Sequence, residues 1–363
     1  MNLSYQTKEK GKMRVLHYVD ENRLSWAQAW IQLLEALRQR DIENFVLCRP
    51  GGTLQDMLVK RGFIVSTCRP FLSWAPPLCA CVKDAIERIK PDVIHTRLSQ
   101  AALIAGYWGK KLDIPVLCTV DKYPKAKYYR YATHLAACSS DVAGHMISQG
   151  FDESKVTVVS NPIDVSRYER PKGYVPKMRK KSGTPEEAFV ILAAGRFVDW
   201  KGFDVLIKAC ADLAKFFDFR LWLAGDGPER KNLEDLALRL AVKGIMTFWG
   251  FIEDVRPLMW EADLFVLSSK TPEPFGIVAL EAMACGLPLV ATKAGGVLDF
   301  ADEACGWLVK PNDPGDMAAA IKDALSFEEA RKAKGNAAVK RALRFDVGKI
   351  AEQYAALYRK LGL

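Results

Sequence analysis

The stretch Leu264–Gly286, LFVLSSKTPEPFGIVALEAMACG, decides the fold of its half of the chain. Its first four residues form an apolar run of the kind that fills a buried strand. A polar turn carrying Glu273 follows, and Ile277, Leu280 and Ala284 then recur at helical spacing until Gly286 ends the pattern. A strand, a tight loop and a helix start in this order bring free backbone N–H groups and the positive helix end to one point. Such a point suits a phosphate.

A second carboxylate lies further along the same helix. Glu281 is predicted about one and a half turns into it, on the side away from Ile277 and Leu280. Anion-binding amides between two carboxylates could hold a nucleotide-sugar, with its phosphates in the middle and its hydroxyl-rich groups at both ends. Two solvated helix charges are the alternative.

The two glutamates and the Pro274-Phe275-Gly276 turn between them resemble the Glu-x7-Glu signature of retaining GT-B glycosyltransferases of family GT4. The resemblance implies that Glu273 contacts the hydroxyls of the donor sugar in a catalytic role. It also implies that Glu281 binds the nucleotide ribose. Donor-site positions implied alongside them are Phe275, Gly276 and Ile277.

A second segment, GRFVDWKGFDVLIKA from Gly195, resembles the G-R-x-x-x-x-K-G-x-D pattern of the same family. The resemblance implies that Arg196 and Lys201 neutralise the pyrophosphate, so that charge growing on the leaving group is stabilised without a metal. A pair of solvated surface charges is the alternative. The family likeness also implies four loop positions close to the nucleotide: Gly195, Gly225, Asp226 and Gly250.

Strand-like and helical patterns alternate along both halves, which predicts an α/β protein built from parallel βαβ units. The resemblance implies the GT-B fold, with two Rossmann-like domains facing across a cleft. We expect a first, acceptor domain over residues 1–165, a Pro-, Gly- and cation-rich linker over 166–187, a donor domain over 188–340 and a helical crossover over 341–363. The final helix, with an apolar face of Ile350, Tyr354, Leu357 and Leu361, is expected to pack back on the first domain.

The first domain departs from the family in its candidate catalytic and acceptor positions. Family members often carry a histidine after the strand that matches Val116–Val120, whereas this chain has Asp121. His95 is predicted to end its own strand near the same rim, with a structural histidine as the alternative. The segment KYPKAKYYRY, residues 122–131, interleaves cations and tyrosines and could hold a phosphorylated sugar or anionic headgroups. Its acceptor candidates are Lys122, Lys125 and Lys127.

Composition and charge limit the classes of protein to which this chain can belong. The chain of 363 residues carries 52 Lys and Arg against 43 Asp and Glu, a net charge of +9. It shows no nucleic-acid motif and no apolar run of about 18 residues. Residues 1–12 lack an apolar h-region, so we expect a disordered lead-in rather than a secretory signal. Nine scattered cysteines, mostly in apolar runs, predict thiols and a reducing, cytosolic compartment. Cys79 and Cys81 have no second pair to complete a zinc site.

Together these patterns predict a retaining glycosyltransferase that needs neither metal nor cofactor and uses a nucleotide-sugar as co-substrate. The expected acceptor is a glycan or glycolipid, namely a lipopolysaccharide core or a lipid-linked glycan, and an anionic membrane surface is a candidate partner. The expected location is the cytoplasm, with peripheral association at the cytosolic face of the inner membrane as a candidate. Two alternatives stay open: a sugar-nucleotide epimerase of GT-B fold and a non-catalytic nucleotide-sugar-binding protein.

Overall fold

The computed structural model describes residues 11–23 and 27–362. Most of the predicted lead-in and Trp26, which belongs to the first helical pattern, lie outside these residues. The chain divides into two units. The first unit comprises residues up to Asp164 and those from Phe345 onward, and the second comprises Val165–Arg344.

Each unit contains a parallel β-sheet, as the alternating pattern predicts. Within the described residues, the first sheet has seven strands in the order β3-β2-β1-β4-β5-β6-β7 and the second has six in the order β10-β9-β8-β11-β12-β13. The first sheet comprises β1 Met13–Val19, β2 Ile42–Cys48, β3 Ile64–Thr67, β4 Val93–Arg97, β5 Val116–Val120, β6 His134–Ala137 and β7 Val156–Val158. The second comprises β8 Phe189–Ala194, β9 Phe219–Ala224, β10 Met246–Gly250, β11 Leu264–Leu267, β12 Leu289–Thr292 and β13 Gly306–Val309.

Helices connect these strands along the chain. They are α1 Ala27–Arg38, α2 Thr53–Lys60, α3 Ala80–Ile89, α4 Ser99–Lys111, α5 Ser140–Ser148, α6 Met178–Ser182, α7 Phe203–Leu213, α8 Arg230–Arg239, α9 Arg256–Glu261, α10 Ile277–Ala284, α11 Pro314–Ser326, α12 Glu328–Ala342 and α13 Val347–Gly362. Strands covered on both faces read as continuous apolar runs, and the central strands β4 and β5 are buried at every residue. The two sheets with their helices confirm the predicted fold class.

The terminal helix α13 belongs to the first unit, as expected. Ile350, Tyr354 and Leu357 are buried against the sheet and α1, while Leu361 packs at the edge of the same core. The crossing into this helix is fixed by backbone bonds, from Ile163 N to Phe345 O at 3.0 Å and from Val347 N to Ile163 O at 2.8 Å. The helix runs from residue 347, and the second unit extends to Arg344, four residues beyond the expected end of the donor domain.

The segment 166–187 is not a linker but part of the second unit. Its helix α6 begins directly above the buried carboxylate of Glu261, at the end of α9. That carboxylate accepts hydrogen bonds from the backbone N–H groups of Lys177, Met178 and Arg179 and from the hydroxyl of Tyr174, at 2.6–3.1 Å. The sequence pattern missed this packing because α6 is short and polar, so its contacts depend on one distant carboxylate rather than on an apolar face.

The same contacts set the charge state of Glu261. Burial alone would raise the pKa of this carboxyl, but the hydrogen bonds from Tyr174 and from the α6 amides outweigh burial and lower the pKa below its ordinary value. An anion at a helix start is also favoured by the helix dipole. The ionised carboxylate therefore stabilises the docked segment.

The cysteines depart from the expectation that all are thiols. Cys68, just after β3, is joined to Cys81 in the first turn of α3, with their Cα atoms 5.8 Å apart. The sequence argument compared only the neighbours Cys79 and Cys81, whereas the fold brings the end of a strand to the start of the following helix. The cysteines recorded as free thiols in the described chain are 48, 79, 118, 138, 210, 285 and 305.

We predict that Glu261→Gln destabilises the protein, because the amide supplies one uncharged acceptor to four donors. The expected loss is about 1.5–3 kcal/mol at neutral pH, measured by urea unfolding. The folded-state pKa is depressed, so the stabilisation is present above the unfolded pKa and is lost as the pH falls through the folded one. The difference between variant and wild type should therefore shrink as the pH falls below 4.5, the ordinary pKa of a glutamate carboxyl. Glu329→Gln, on an exposed side chain of α12, serves as the control, and an equal loss in both variants would contradict the prediction.

Candidate active site

The second unit joins two of the predicted site residues directly. The Lys201 ammonium lies 2.8 Å from both carboxylate oxygens of Glu273, and the Ser269 hydroxyl donates to Oε2 of the same carboxylate at 2.8 Å. Glu273 is only 7% exposed. The Lys201 ammonium also stands over the Trp200 ring, 4.5 Å from its centre. A carboxylate this far out of water needs a matching charge, and Lys201 supplies it.

The loops that carry this pair are held together by backbone contacts. Lys201 ends the loop after β8, and Glu273 lies in the loop after β11, the strand beside β8 in the sheet. Gly202 approaches the carbonyl of Ser268 so closely that a Cβ would meet that oxygen at 2.0 Å, and its φ of 66° also favours glycine. Ser268 in turn donates from its hydroxyl to the Lys201 carbonyl at 2.9 Å. The Lys-Gly pair of the sequence motif is therefore required by the packing of two loops.

A third loop fixes the backbone of Glu273. The loop after β12 forms a bridge between Gly295 and Glu273, and the N–H of Gly296 donates to the Glu273 carbonyl at 2.7 Å. Since β8, β11 and β12 are consecutive in the sheet, their carboxyl ends lie side by side. Ligands of open parallel sheets bind at such an edge. The Glu273 side chain is thus positioned by three neighbouring loops.

The turn before α10 has the predicted form. Phe275 is buried and its ring packs against that of Phe300, with centroids 5.3 Å apart. Gly276 caps the helix in the left-handed region, and Ile277 is its first residue. The early N–H groups of α10 therefore begin four residues after Glu273, which is the arrangement that the sequence indicated for phosphate binding.

Glu281 has a different set of partners on α10. Its Oε1 accepts a hydrogen bond from the Tyr168 hydroxyl at 2.7 Å. Burial raises the pKa of the Glu281 carboxyl, as does the nearby charge of Asp254, while the Tyr168 hydrogen bond and the Arg256 charge act in the opposite direction. Tyr168 was missed at the sequence level because it falls in the segment interpreted as a linker.

The surroundings of Glu281 are themselves braced. The Trp260 indole N–H donates to the Tyr168 carbonyl at 2.7 Å. The Arg256 guanidinium makes two 2.7 Å bonds to Asp254 and holds the pKa of that carboxyl below its usual range. Arg256 also donates to the carbonyl of Arg167 at 3.1 Å. These bonds fix the start of the second unit against α9, and with it the Tyr168 hydroxyl.

The remaining donor-side candidates line the loops after β8, β9 and β10. Arg196 is exposed, in contrast to its loop neighbour Lys201. Gly225 lies so near Gly195 that a Cβ there would stand 1.8 Å from the Gly195 carbonyl oxygen, and its N–H donates to the Gly250 carbonyl at 2.8 Å. The Asp226 carboxylate accepts from the N–H of Gly227 at 2.7 Å, within its own turn. Close contacts of Gly225 with Gly195 and with Gly250 therefore hold the three loops together, whereas the exposed Arg196 side chain is open to a ligand.

The first unit corrects the prediction for His95. The strand β4 continues two residues past His95, which is buried inside the unit and does not lie at a rim. Its ring nitrogens lie 2.6 Å from the hydroxyls of Thr119 and of Tyr358 on α13. Burial, and then the neighbouring His17 and Arg97, lower the pKa of His95 well below its ordinary value. The structural alternative is therefore the one observed.

Asp121 does lie at a strand end, but it is paired. The guanidinium of the buried Arg97, which ends β4, donates to both Asp121 oxygens at 3.1 and 3.3 Å. Arg97 was missed because the strand was expected to stop two residues earlier. The carboxylate that replaces the family's usual histidine therefore neutralises a buried cation of its own unit.

The basic segment 122–131 combines exposed charges with a packed base. Lys122, Lys125 and Lys127 are all exposed, as expected for a surface that receives an anionic ligand. Tyr129, by contrast, is buried, and its hydroxyl lies 3.4 Å from that of Ser99 at the start of α4. The tyrosine anchors the segment and the lysines face solvent.

We predict that Lys201→Met destabilises the second unit by about 1–3 kcal/mol, because Glu273 then stays buried without its cation. Adding Glu273→Gln should restore much of this loss, since a neutral amide needs no counter-charge. Urea unfolding of the two single variants and the double variant forms a double-mutant cycle. Additive losses would show that the two side chains do not interact.

Two family models and several known proteins match this chain. A sequence model described as "Glycosyltransferase Family 4" matches residues 27–167, and one described as "Glycosyl transferases group 1" matches residues 175–341. The chain is 32% identical over 322 residues to the lipopolysaccharide core biosynthesis glycosyltransferase LpsE of Rhizobium meliloti, covering 88% of this chain and 91% of that protein. It is 28% identical over 360 residues to LpsD of the same organism, covering 95% and 98%.

Solved structures share the architecture. HepE of Anabaena in complex with UDP and glucose aligns over 96% of this chain and 100% of that chain, with a TM-score of 0.84 at 24% identity. WaaG, a glycosyltransferase involved in lipopolysaccharide biosynthesis, aligns over 95% and 99%, with a TM-score of 0.71 at 17% identity. The chain belongs to glycosyltransferase family 4 and is a glycosyltransferase of GT-B fold.

Proposed function

We propose that this enzyme is a retaining, metal-independent glycosyltransferase that moves a sugar from a nucleoside-diphosphate donor to a lipopolysaccharide core or a lipid-linked glycan. The observation that carries the proposal is the Lys201–Glu273 pair at the carboxyl ends of β8 and β11. The UDP and glucose bound by HepE support a nucleotide-sugar donor, and the names of LpsE and LpsD support the acceptor class.

The proposed chemistry uses fixed charges. The bond between the anomeric carbon and the diphosphate oxygen breaks, the acceptor hydroxyl oxygen bonds to the same carbon, and the hydroxyl proton passes to the departing diphosphate. Negative charge grows on the departing diphosphate, and Arg196 and Lys201 lie on one loop to stabilise it. Lys201 is already immobilised by Glu273, so little reorganisation is needed when the charge develops. Glu273 is proposed to accept hydrogen bonds from the sugar hydroxyls.

Glu281 is proposed to hold the nucleotide ribose. Tyr168 donates to Oε1, and Oε2 is the oxygen assigned here to a ribose hydroxyl. A hydrogen bond to a charged acceptor contributes about 1.5–3 kcal/mol, which is about 10- to 150-fold in Kd. The Tyr168 bond also favours the ionised carboxylate, the form that accepts from a hydroxyl.

We predict that Glu281→Ala weakens nucleoside-diphosphate binding by about 10- to 150-fold, because the ribose loses its charged acceptor. Calorimetric titration with UDP, followed by the other nucleoside diphosphates, measures the change. Glu281→Gln keeps an acceptor for Tyr168 and should lose less affinity. Glu329→Ala removes an exposed helix carboxylate of the same unit and is the matched control. Wild-type affinity in Glu281→Ala would remove Glu281 from the donor site.

The acceptor side is proposed to lie on the first unit, around the exposed lysines of the segment 122–131. Phosphate groups on the acceptor or on an anionic membrane would meet the exposed side chains of Lys122, Lys125 and Lys127. Asp121 follows the neighbouring strand β5 and could accept a hydrogen bond from a sugar hydroxyl while it pairs with Arg97. We place the enzyme at the cytosolic face of the inner membrane, in peripheral association. The described chain has no helix of sufficient length and apolarity to span a bilayer.

We predict that replacing Lys122, Lys125 and Lys127 together by glutamine lowers both transfer to an anionic acceptor and binding to anionic vesicles, because three attractive charges are lost. Each Lys near an anionic surface contributes about 1 kcal/mol, so vesicle binding should fall by about 100-fold. The matched control replaces three exposed lysines of the second unit, Lys243, Lys322 and Lys340. Unchanged transfer and vesicle binding would exclude this segment from the acceptor side.

The two alternatives are distinguished by the fate of the donor. An epimerase would convert the nucleotide-sugar with no acceptor present, and a binding protein would hold it without transfer or hydrolysis. The similarity to lipopolysaccharide core glycosyltransferases over most of the chain does not favour either alternative. Donor turnover with and without a core oligosaccharide acceptor separates all three.

A further inference from the structure

The loop between β3 and α3 exposes an unusual group of apolar side chains. Residues 68–81, CRPFLSWAPPLCAC, are called the aromatic loop. Within eight residues, Phe71 is 82% exposed, Trp74 72% and Leu78 55%. Single exposed hydrophobic residues are ordinary in soluble proteins, but three large ones in one short loop indicate an interaction surface.

The exposure does not come from a loose loop. A disulfide between Cys68 and Cys81 closes the base of the loop, and the N–H of Cys68 donates to the Cys48 carbonyl at 2.9 Å. Within the loop, backbone N–H groups of Ala75 and Leu78 donate to carbonyls three residues earlier, at 2.8 and 3.0 Å. These backbone bonds do not depend on the disulfide, which a reducing cytosol would open. The loop therefore presents its apolar side chains in a fixed arrangement, and little ordering is required when a partner buries them.

The charge around the loop favours an anionic partner. Between Asp56 and Asp84 the sequence contains Lys60, Arg61, Arg69 and Lys83 but no acidic residue. Arg61 and Lys83 pair with Glu35 and Glu87 in the described chain, which leaves Lys60 and Arg69 as exposed charges of the stretch.

The aromatic loop also shares its support with the basic segment 122–131. A short 3-10 turn in the loop, Pro76–Leu78, packs against α4, and so does the 3-10 turn Ala126–Tyr129 of the basic segment. Tyr131, two residues past that turn, also contacts α4, because a Cβ added at Gly106 would stand 2.9 Å from the Tyr131 Cβ. One helix of the first unit thus supports both the exposed apolar side chains and the exposed lysines.

We propose that the aromatic loop docks on an anionic phospholipid bilayer and inserts Phe71, Trp74 and Leu78 at the boundary between headgroups and acyl chains. Aromatic side chains are favoured at that depth, and flanking cations attract anionic headgroups. The inference rests on the proposed function at a membrane surface. It adds an apolar contact with the bilayer to the electrostatic contact proposed for the lysines of segment 122–131. The bilayer, rather than a protein, is the occupant assigned, because the exposed apolar side chains lie in one stretch of chain with the exposed cations Lys60 and Arg69.

The test uses the full chain and vesicles of phosphatidylglycerol and phosphatidylcholine in sedimentation assays. Phe71→Ser/Trp74→Ser/Leu78→Ser should bind these vesicles at least about 100-fold more weakly than wild type, because three apolar side chains no longer leave water on binding. At about 1 M salt the lysine contribution is screened, so wild type should retain residual binding that the loop variant lacks. The matched control is Phe216→Ser/Phe327→Ser, two exposed phenylalanines of the second unit.

Three results would overturn the proposal. The first is that the loop variant binds vesicles as well as wild type does. The second is that wild type does not bind the vesicles. The third is that wild type forms a dimer that the loop substitutions abolish, which would make a second copy of the chain the occupant of this surface. Brominated lipids give a further check, since they should quench fluorescence in wild type but less in Trp74→Phe. UDP binding is measured on the same proteins, so that the two proposals fail separately. A loop variant that binds UDP as wild type does but no longer binds vesicles supports the membrane contact alone. Wild-type UDP affinity in Glu281→Ala would contradict the proposed function without bearing on the loop.

Discussion

The ion pair between Lys201 and Glu273 is the interaction on which the candidate donor site depends. Its two members come from loops after neighbouring strands, and the carboxylate is almost wholly removed from water. An unpaired charge in that position would be strongly unfavourable, so the pair holds only while the loops after β8, β11 and β12 stay in contact. Those contacts include a glycine that no larger residue could replace, because Gly202 touches the Ser268 carbonyl. The pair therefore couples side-chain chemistry to the packing of the sheet edge.

The first unit uses buried polar groups for a different purpose. His95, Thr119, Tyr354 and Tyr358 form a hydrogen-bonded cluster between the central strands and α13. Each of these groups would be costly to bury alone, but together they satisfy one another and fix the position of the terminal helix. The terminal segment is thereby fastened to the first unit by specific hydrogen bonds as well as by apolar burial. A histidine that sequence reasoning associated with the acceptor instead serves this fastening.

Much of the fold could be predicted because parallel strands buried on both faces appear in the sequence as continuous apolar runs. The runs that became β1, β5 and β9 have the bounds that the apolar pattern indicates. Helices made of polar or small residues lack a clear apolar face at helical spacing, and the sequence pattern therefore missed α6 and α12. Helix α12 packs through Gly335 against the backbone of Gly286, a contact that depends on the absence of a side chain and has no apolar signature.

The sequence by itself determined the fold class and the family, because short, dense motifs and alternating apolar runs are each contained in full in one stretch of chain. The same motifs predict Glu273, Glu281, Arg196 and Lys201 as donor-side residues. Tertiary structure decided which groups they meet. Only the folded chain brings Tyr168 to Glu281 across 113 positions, or Glu261 to the amides of α6. It also placed His95 inside the unit and paired Asp121 with Arg97. The reason is physical: burial and hydrogen-bond partners are properties of surfaces in contact, and those surfaces come from segments far apart in the sequence.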